Sequence, residues 1–108
     1  MSHHLAGADD AAVRHLLESP TIAARTAPYV GEGEFDWEDL LVEQQTMSGG
    51  ERVLVLIAHD LWNANATIRV ADLVRRLDRR HFERVIEAFE ISRGELPVRP
   101  AASLREAA

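Results

Sequence analysis

The chain contains no cysteine and no lysine. The first absence excludes disulfide scaffolds, thiolate metal sites and thiol nucleophiles, each of which needs the sulfur. The second excludes a Walker-type phosphate loop, which ends in Lys followed by Ser or Thr, and leaves all twelve basic residues as arginine. Proline and glycine are sparse, four and six in 108 residues, so collagen-like and low-complexity chains are excluded as well. The longest apolar run, Val53 to Ala58, is six residues long, against the ~20 that a membrane-crossing helix requires. The opening Met1-Ser2-His3-His4 lacks the basic-then-apolar order of a secretory leader, and a cytoplasmic location is expected.

What is present suits one small domain: 46% hydrophobic and 28% charged residues, with a core that forms without metal or disulfide staples. The net charge of −6 is unevenly placed. Residues 1–51 carry ten acids against Arg14 and Arg25, whereas 52–108 carry eight acids against ten arginines. Halves of opposite sign either attract within one fold or present two faces to different partners.

Helical spacing dominates. A disordered N-terminus is expected over 1–8, a single helical domain over 9–94 and a flexible Pro/Ala-rich tail over 95–108. Asp9 and Asp10 suit a cap and first turn, followed by Val13, Leu16 and Leu17 on one face. A short helix is expected over Thr21 to Thr26, a loop over Pro28 to Glu34, and a helix capped by Asp36 that runs to about Gln45. Ser48 and Glu51 have the spacing of a capping box, which opens a central helix over about 50–63. The β-branched run 53–58 also suits a buried strand, but its uninterrupted continuation to Trp62 favours the helix. Val70, Leu73, Val74 and Leu77 predict a buried stripe, and Phe82, Val85, Ile86 and Phe89 a second one between Asp78 as cap and Gly94 as stop. The expected fold is all-α, a compact small orthogonal helical domain around the 50–63 helix with a helix-turn-helix-like C-terminal half.

No catalytic constellation emerges. Thr46 to Arg52, with Ser48-Gly49-Gly50, resembles the signature motif of ABC-type ATPases over seven residues, but without a lysine-bearing phosphate loop an ATPase is not expected. The five histidines fall in separate segments with no His-x-x-x-His pair, so no metal and no cofactor are expected. Ser19, Ser48, Ser92 and Ser103 lie outside any Gly-x-Ser-x-Gly elbow, and His59 reads as a packing residue. The paired carboxylates sit in helix first turns, where capping and the dipole account for them.

Two surfaces remain as candidates. Phe35, Trp37 and Leu41, interleaved with Glu38 and Asp39, suit anchors and steering charges for a basic partner, or else pack on the central helix. Arg75, Arg76, Arg79, Arg80 and Arg84 surround the turn of a segment similar in order and length to the helix-turn-helix domains of DNA-binding regulators. That resemblance implies a last helix in the major groove. The segment departs from the pattern by having Asp78 where the family usually has Gly, and by exposing Glu83, Glu87 and Glu90 on the last helix. The expectation is therefore a non-catalytic helical interaction or regulatory module whose partner is a protein or a second copy of itself. Nucleic acid is the alternative partner, disfavoured by the net charge, and membrane binding is not expected.

Overall fold

The computed structural model describes residues 3–65 and 67–95, with side chains from Gly7 onward. Within them the helical spacing becomes six α-helices and one small hairpin. The order is α1 (His3–Leu17), α2 (Ala23–Thr26), β1 (Val30–Gly31), β2 (Glu34–Phe35), α3 (Trp37–Glu43), α4 (Gly49–Asn63), α5 (Val70–Arg76) and α6 (Arg79–Ser92). The all-α class expected from the sequence is observed, the antiparallel pairs Val30↔Phe35 and Gly31↔Glu34 being a minor addition. The segment 53–58 is helical. Residues 96–108, which hold nearly all of the expected tail, lie outside the described residues.

The core is built where three apolar stripes meet. α1 contributes Ala12, Val13, Leu16 and Leu17, α4 contributes Val53, Leu54, Val55, Ile57 and Ala58, and α6 contributes Val85, Ala88 and Ile91. Leu40 of α3 and Ile22 close its sides. Each fully buried Val or Leu adds ~1.5–3 kcal/mol relative to leaving it in water. α4 touches α1, α3, α5 and α6, the central position its all-round apolar sequence predicts. The most extensive interfaces, however, belong to α1, which packs along both α6 and α4.

Local chemistry sets the helix ends. The Ser48 hydroxyl accepts from the Glu51 N–H at 3.4 Å while the Glu51 carboxylate accepts from the Ser48 N–H at 3.2 Å, completing the capping box of α4. Asp78 caps α6 by accepting from the His81 N–H at 2.8 Å. α4 ends on Ala64 in the left-handed region at φ 52°, and Gly94 ends α6 at φ 80°.

Polar groups lock α1 to α6. His15, 7% exposed, meets the Glu87 carboxylate through Nε2 at 2.7 Å, and Arg84 Nε donates to the His15 carbonyl at 2.6 Å. Ser92 at the end of α6 donates to Asp9. Burial, helped by the nearby Arg84 charge, holds the His15 pKa below its ordinary value against the opposing pull of Glu87.

Four expectations need correction. α1 starts at His3 and not at Asp9, because Asp9 serves Ser92 and Asp10 pairs with Arg14 at 2.5 Å instead of capping a helix. The segment 28–34 expected as a loop contains β1 and the first residue of β2, and α3 passes into a 3-10 turn at Gln44–Thr46. α5 buries none of its residues: Val70 and Val74 are 78% and 70% exposed, since among the described elements its main packing is against α4 alone. α6 is rotated so that Val85, Ala88 and Ile91 face α1, which leaves Phe82 and Ile86 at the edge, each 39% exposed.

Gly50 is fixed by contact. A Cβ there would lie 2.9 Å from the Arg76 carbonyl oxygen, whereas at Gly49 the nearest atom is the mobile end of the Arg76 side chain at 3.6 Å. Gly50→Ala is therefore expected to lower stability by ~1–3 kcal/mol, overriding the gain in helix propensity. Gly49→Ala is expected to be neutral or to stabilise by up to ~1 kcal/mol, both changes being measurable by urea denaturation.

His15 predicts a pH dependence. With its folded pKa below the unfolded value of 6.5, the unfolded chain binds the proton first, so stability present above about pH 6.5 is lost as the pH falls toward the folded pKa. Urea midpoints are expected to drop between about pH 7.5 and 5, and His15→Gln is expected to flatten that slope. An unchanged slope in the variant would exclude His15 as the source.

Candidate interaction surfaces

The hairpin and the first turn of α3 bring the acidic–aromatic stretch against the C-terminal half of α4. Phe35 lies 5.4 Å from Trp37 and 4.9 Å from Trp62, ring centre to ring centre, and Trp37 lies 5.0 Å from His59. Arg14 of α1 covers this group from the other side, its guanidinium 5.1 Å from the centre of Phe35 while it donates to the Gly31 carbonyl. Asn65 faces His59 Nδ1 at 2.7 Å, and burial lowers the pKa of His59 despite the neighbouring Asp60. The Trp37 indole Nε1 is buried and has no hydrogen-bond partner among the described residues.

Phe35 and Trp37 are thus half-buried and packed against the core, and Leu41 is half-buried. What this stretch shows to solvent is charge: Glu32, Glu34, Asp36, Glu38 and Asp39 are exposed. A hydrogen bond with the Asp36 carboxyl, reinforced by its charge, raises the Asp39 pKa. Beside the hairpin, Pro28, Tyr29, Val30, Gly31, Glu34 and Asp36 line a wide-mouthed groove of about 330 Å³, which holds no histidine and no serine. Among the described residues no three His, Asp or Glu side chains converge as metal ligands, and no helix is long and apolar enough to cross a membrane.

The arginines of the second surface have separate duties. Arg84 is a structural tie to α1. Arg76 pairs with Asp72 at 3.1 Å and Arg79 with Glu83 at 3.6 Å, both one helical turn apart and worth only a few tenths of a kcal/mol each. Arg75 and Arg80 are exposed and form no ion pair among the described residues, and the same holds for Arg69 just before α5. His81 sits at the joint, Nδ1 3.2 Å from Asp78 and Nε2 3.0 Å from the Thr21 hydroxyl.

The same two helices also expose side chains that the stripe pattern had assigned to the core. Val70 and Val74 share one face of α5, and Phe82 and Ile86 share one edge of α6, all four exposed. The signal was available: the stripe Val70, Leu73, Val74, Leu77 is wider than a seven-residue helix with a single main neighbour can bury. Leu73 and Leu77 take the half-buried inner positions and the two valines are left outside.

No family model, no curated protein and no solved structure matches this chain.

The engagement of Trp37 has a measurable consequence. Trp37→Ala is expected to cost ~2–4 kcal/mol in urea denaturation, because it removes a large ring from the group formed by Phe35, Trp62 and His59. Trp37→Phe, which keeps a ring and removes the unpartnered indole N–H, is expected to cost less than half as much. Equal losses for the two variants would contradict a packing role.

Proposed function

We propose that this chain is a non-catalytic protein-interaction module whose binding surface is the outer face of α5. One observation carries the reading: a helix that buries none of its own residues holds two valines at 78% and 70% exposure. Exposed Val and Phe at helical spacing remain unfavourable in water until a second surface covers them. The acidic–aromatic stretch offers less, since its rings are already packed and Val42, 61% exposed on α3, is its isolated apolar residue. A cytoplasmic location fits this role and remains part of the proposal.

The second reading, contact with DNA through the helix-turn-helix-like pair α5–α6, is favoured by the unpaired Arg75 and Arg80. The exposed Glu83 and Glu90 on α6 oppose it by repelling phosphate, as does the net charge of −6, whereas Glu87, expected to be exposed, is tied to His15.

The double variant Val70→Ser/Val74→Ser separates the readings, because it removes apolar side chains without opening the core. It is expected to shift stability by no more than ~0.5 kcal/mol. Affinity capture from cell extract with the wild-type chain, the double variant and the Val42→Ser control is expected to retain a defined set of proteins that only the double variant loses. Identical sets for all three chains would overturn the assignment. Salt-sensitive binding of duplex DNA, lost on Arg75→Glu/Arg80→Glu and unaffected by the valine changes, would establish the second reading in its place.

A further inference from the structure

We propose that the groove beside the β1–β2 hairpin is a second docking site, whose occupant is an arginine side chain carried on a segment of a partner protein. The site is separate from the α5 face and stands whether or not that face binds a partner.

The hairpin brings the lining of the groove together. The pairs Val30↔Phe35 and Gly31↔Glu34 are continued by the Asp36 N–H, which donates to the Tyr29 carbonyl at 2.9 Å. Pro28, Tyr29, Val30 and Gly31 thereby line one groove with Glu34 and Asp36. Its volume of about 330 Å³ is at the lower end for ligand pockets, and its mouth is wide. Those dimensions suit one long side chain that enters from a peptide lying outside.

The groups that line the groove call for a cation. The Glu34 carboxylate and the Tyr29 hydroxyl have no hydrogen-bond or ion-pair partner among the described residues. The Asp36 carboxylate accepts the Asp39 N–H at 3.4 Å and has no basic partner there. The chain that builds the groove adds charge of the same sign: residues 28–39 hold Glu32, Glu34, Asp36, Glu38 and Asp39, all exposed, and no basic residue. Crowding among these groups is already felt, because the Asp36 carboxyl raises the pKa of Asp39. A cation held at Glu34 and Asp36 relieves that repulsion and supplies the missing partners.

Three observations choose among cations. Among the described residues no three His, Asp or Glu side chains converge as metal ligands. Pro28, Tyr29 and Val30 give the groove an apolar, partly aromatic lining. A planar, weakly hydrated guanidinium stacks on such a lining while it forks to a carboxylate, which an ammonium does less well. Finally, the hairpin already takes one guanidinium outside the groove: Arg14 donates to the Gly31 carbonyl and lies 5.1 Å from the centre of the Phe35 ring.

Other occupants fit less well. Nucleic acid and anionic membranes are repelled by the carboxylates. A second copy that inserts one of its own arginines leaves its groove open to a third, so the contact does not close into a pair. The segment 96–108 of the same chain carries Arg99 and Arg105, partly offset by Glu106.

The test is an amide-proton NMR titration of the full chain at low salt with peptides of about nine residues in which arginine alternates with glycine. Matched peptides carry lysine, or citrulline, the uncharged counterpart of arginine. The arginine peptide is expected to shift signals of residues 28–36 and to bind at least about threefold more tightly than the lysine peptide, and the citrulline peptide not to bind. Glu34→Gln/Asp36→Asn, which keeps a capping residue at position 36, is expected to weaken the arginine peptide about tenfold, an effect that shrinks as salt is added. Glu83→Gln/Glu90→Gln makes the same change of net charge on α6 and is expected to alter binding by less than about twofold. Tyr29→Leu is expected to weaken it about threefold, through loss of the aromatic face. Val70→Ser/Val74→Ser is expected to leave it unchanged. No binding, equal binding of the arginine peptide and either matched peptide, equal losses in the two carboxyl variants, or shifts away from the hairpin would overturn the inference. So would signals of residues 28–36 that move with protein concentration alone, which would assign the groove to a second copy. The same holds if Arg99→Ser/Arg105→Ser moves those signals without peptide, which would assign it to the chain's own segment.

Discussion

Seventy-two residues of chain separate His15 from Glu87, yet their side chains meet at 2.7 Å, and this closure of α1 on α6 organises the domain. The apolar part of the contact comes from Val13, Leu16 and Leu17 against Val85, Ala88 and Ile91. The polar part, His15 with Glu87, Arg84 with the His15 carbonyl and Asp9 with Ser92, fixes how the two helices are turned toward each other. That turn decides what else is available. With Val85, Ala88 and Ile91 committed to α1, Phe82 and Ile86 fall at the edge, and α5 is left to attach through Leu73 and Leu77 to α4. Loop closure over such a span is entropically costly. It is offset by the many fully buried side chains of the α1–α4–α6 core.

The two surfaces differ in the way each uses its hydrophobic residues. Around Trp37 the aromatic side chains stabilise the fold, tying the hairpin and α3 to α4 and, through Arg14, to α1. The carboxylates that remain outside make this stretch strongly acidic. Around α5 the distribution is reversed: aliphatic groups face solvent, and the arginines among them are only partly neutralised.

The elements governed by neighbours in sequence were legible. The capping box of Ser48 and Glu51, the caps at Asp36 and Asp78 and the stop at Gly94 are contacts made within a few residues, and the structure forms each of them. Contacts across the chain were not legible. Asp9 and Asp10 carry the composition of a helix cap but act as partners of Ser92 and Arg14, so α1 begins earlier than its acids suggest. Strands of two residues are too short to show a period of two, which hid the hairpin. Periodicity states which side chains share a face, not whether anything lies opposite, and this is why Val70 and Val74 read as core. The acidic–aromatic candidates Phe35 and Trp37 left the same question open, and there the opposite surface is present.

The absence of buried residues in α5 also bears on how such a surface changes over evolutionary time. In most domains a substitution that alters recognition also perturbs packing, and variants are lost when they fall below the threshold for folding. Here the side chains that would meet a partner lie outside the core, and replacing them removes almost no buried area. Were this face to bind a partner, its preference could be rewritten at Val70 and Val74 with little effect on the core, whereas Leu73, which packs on that core, would be constrained. The domain holds a fixed body in α1, α4 and α6 and, on the outer face of α5, positions that stability constrains little.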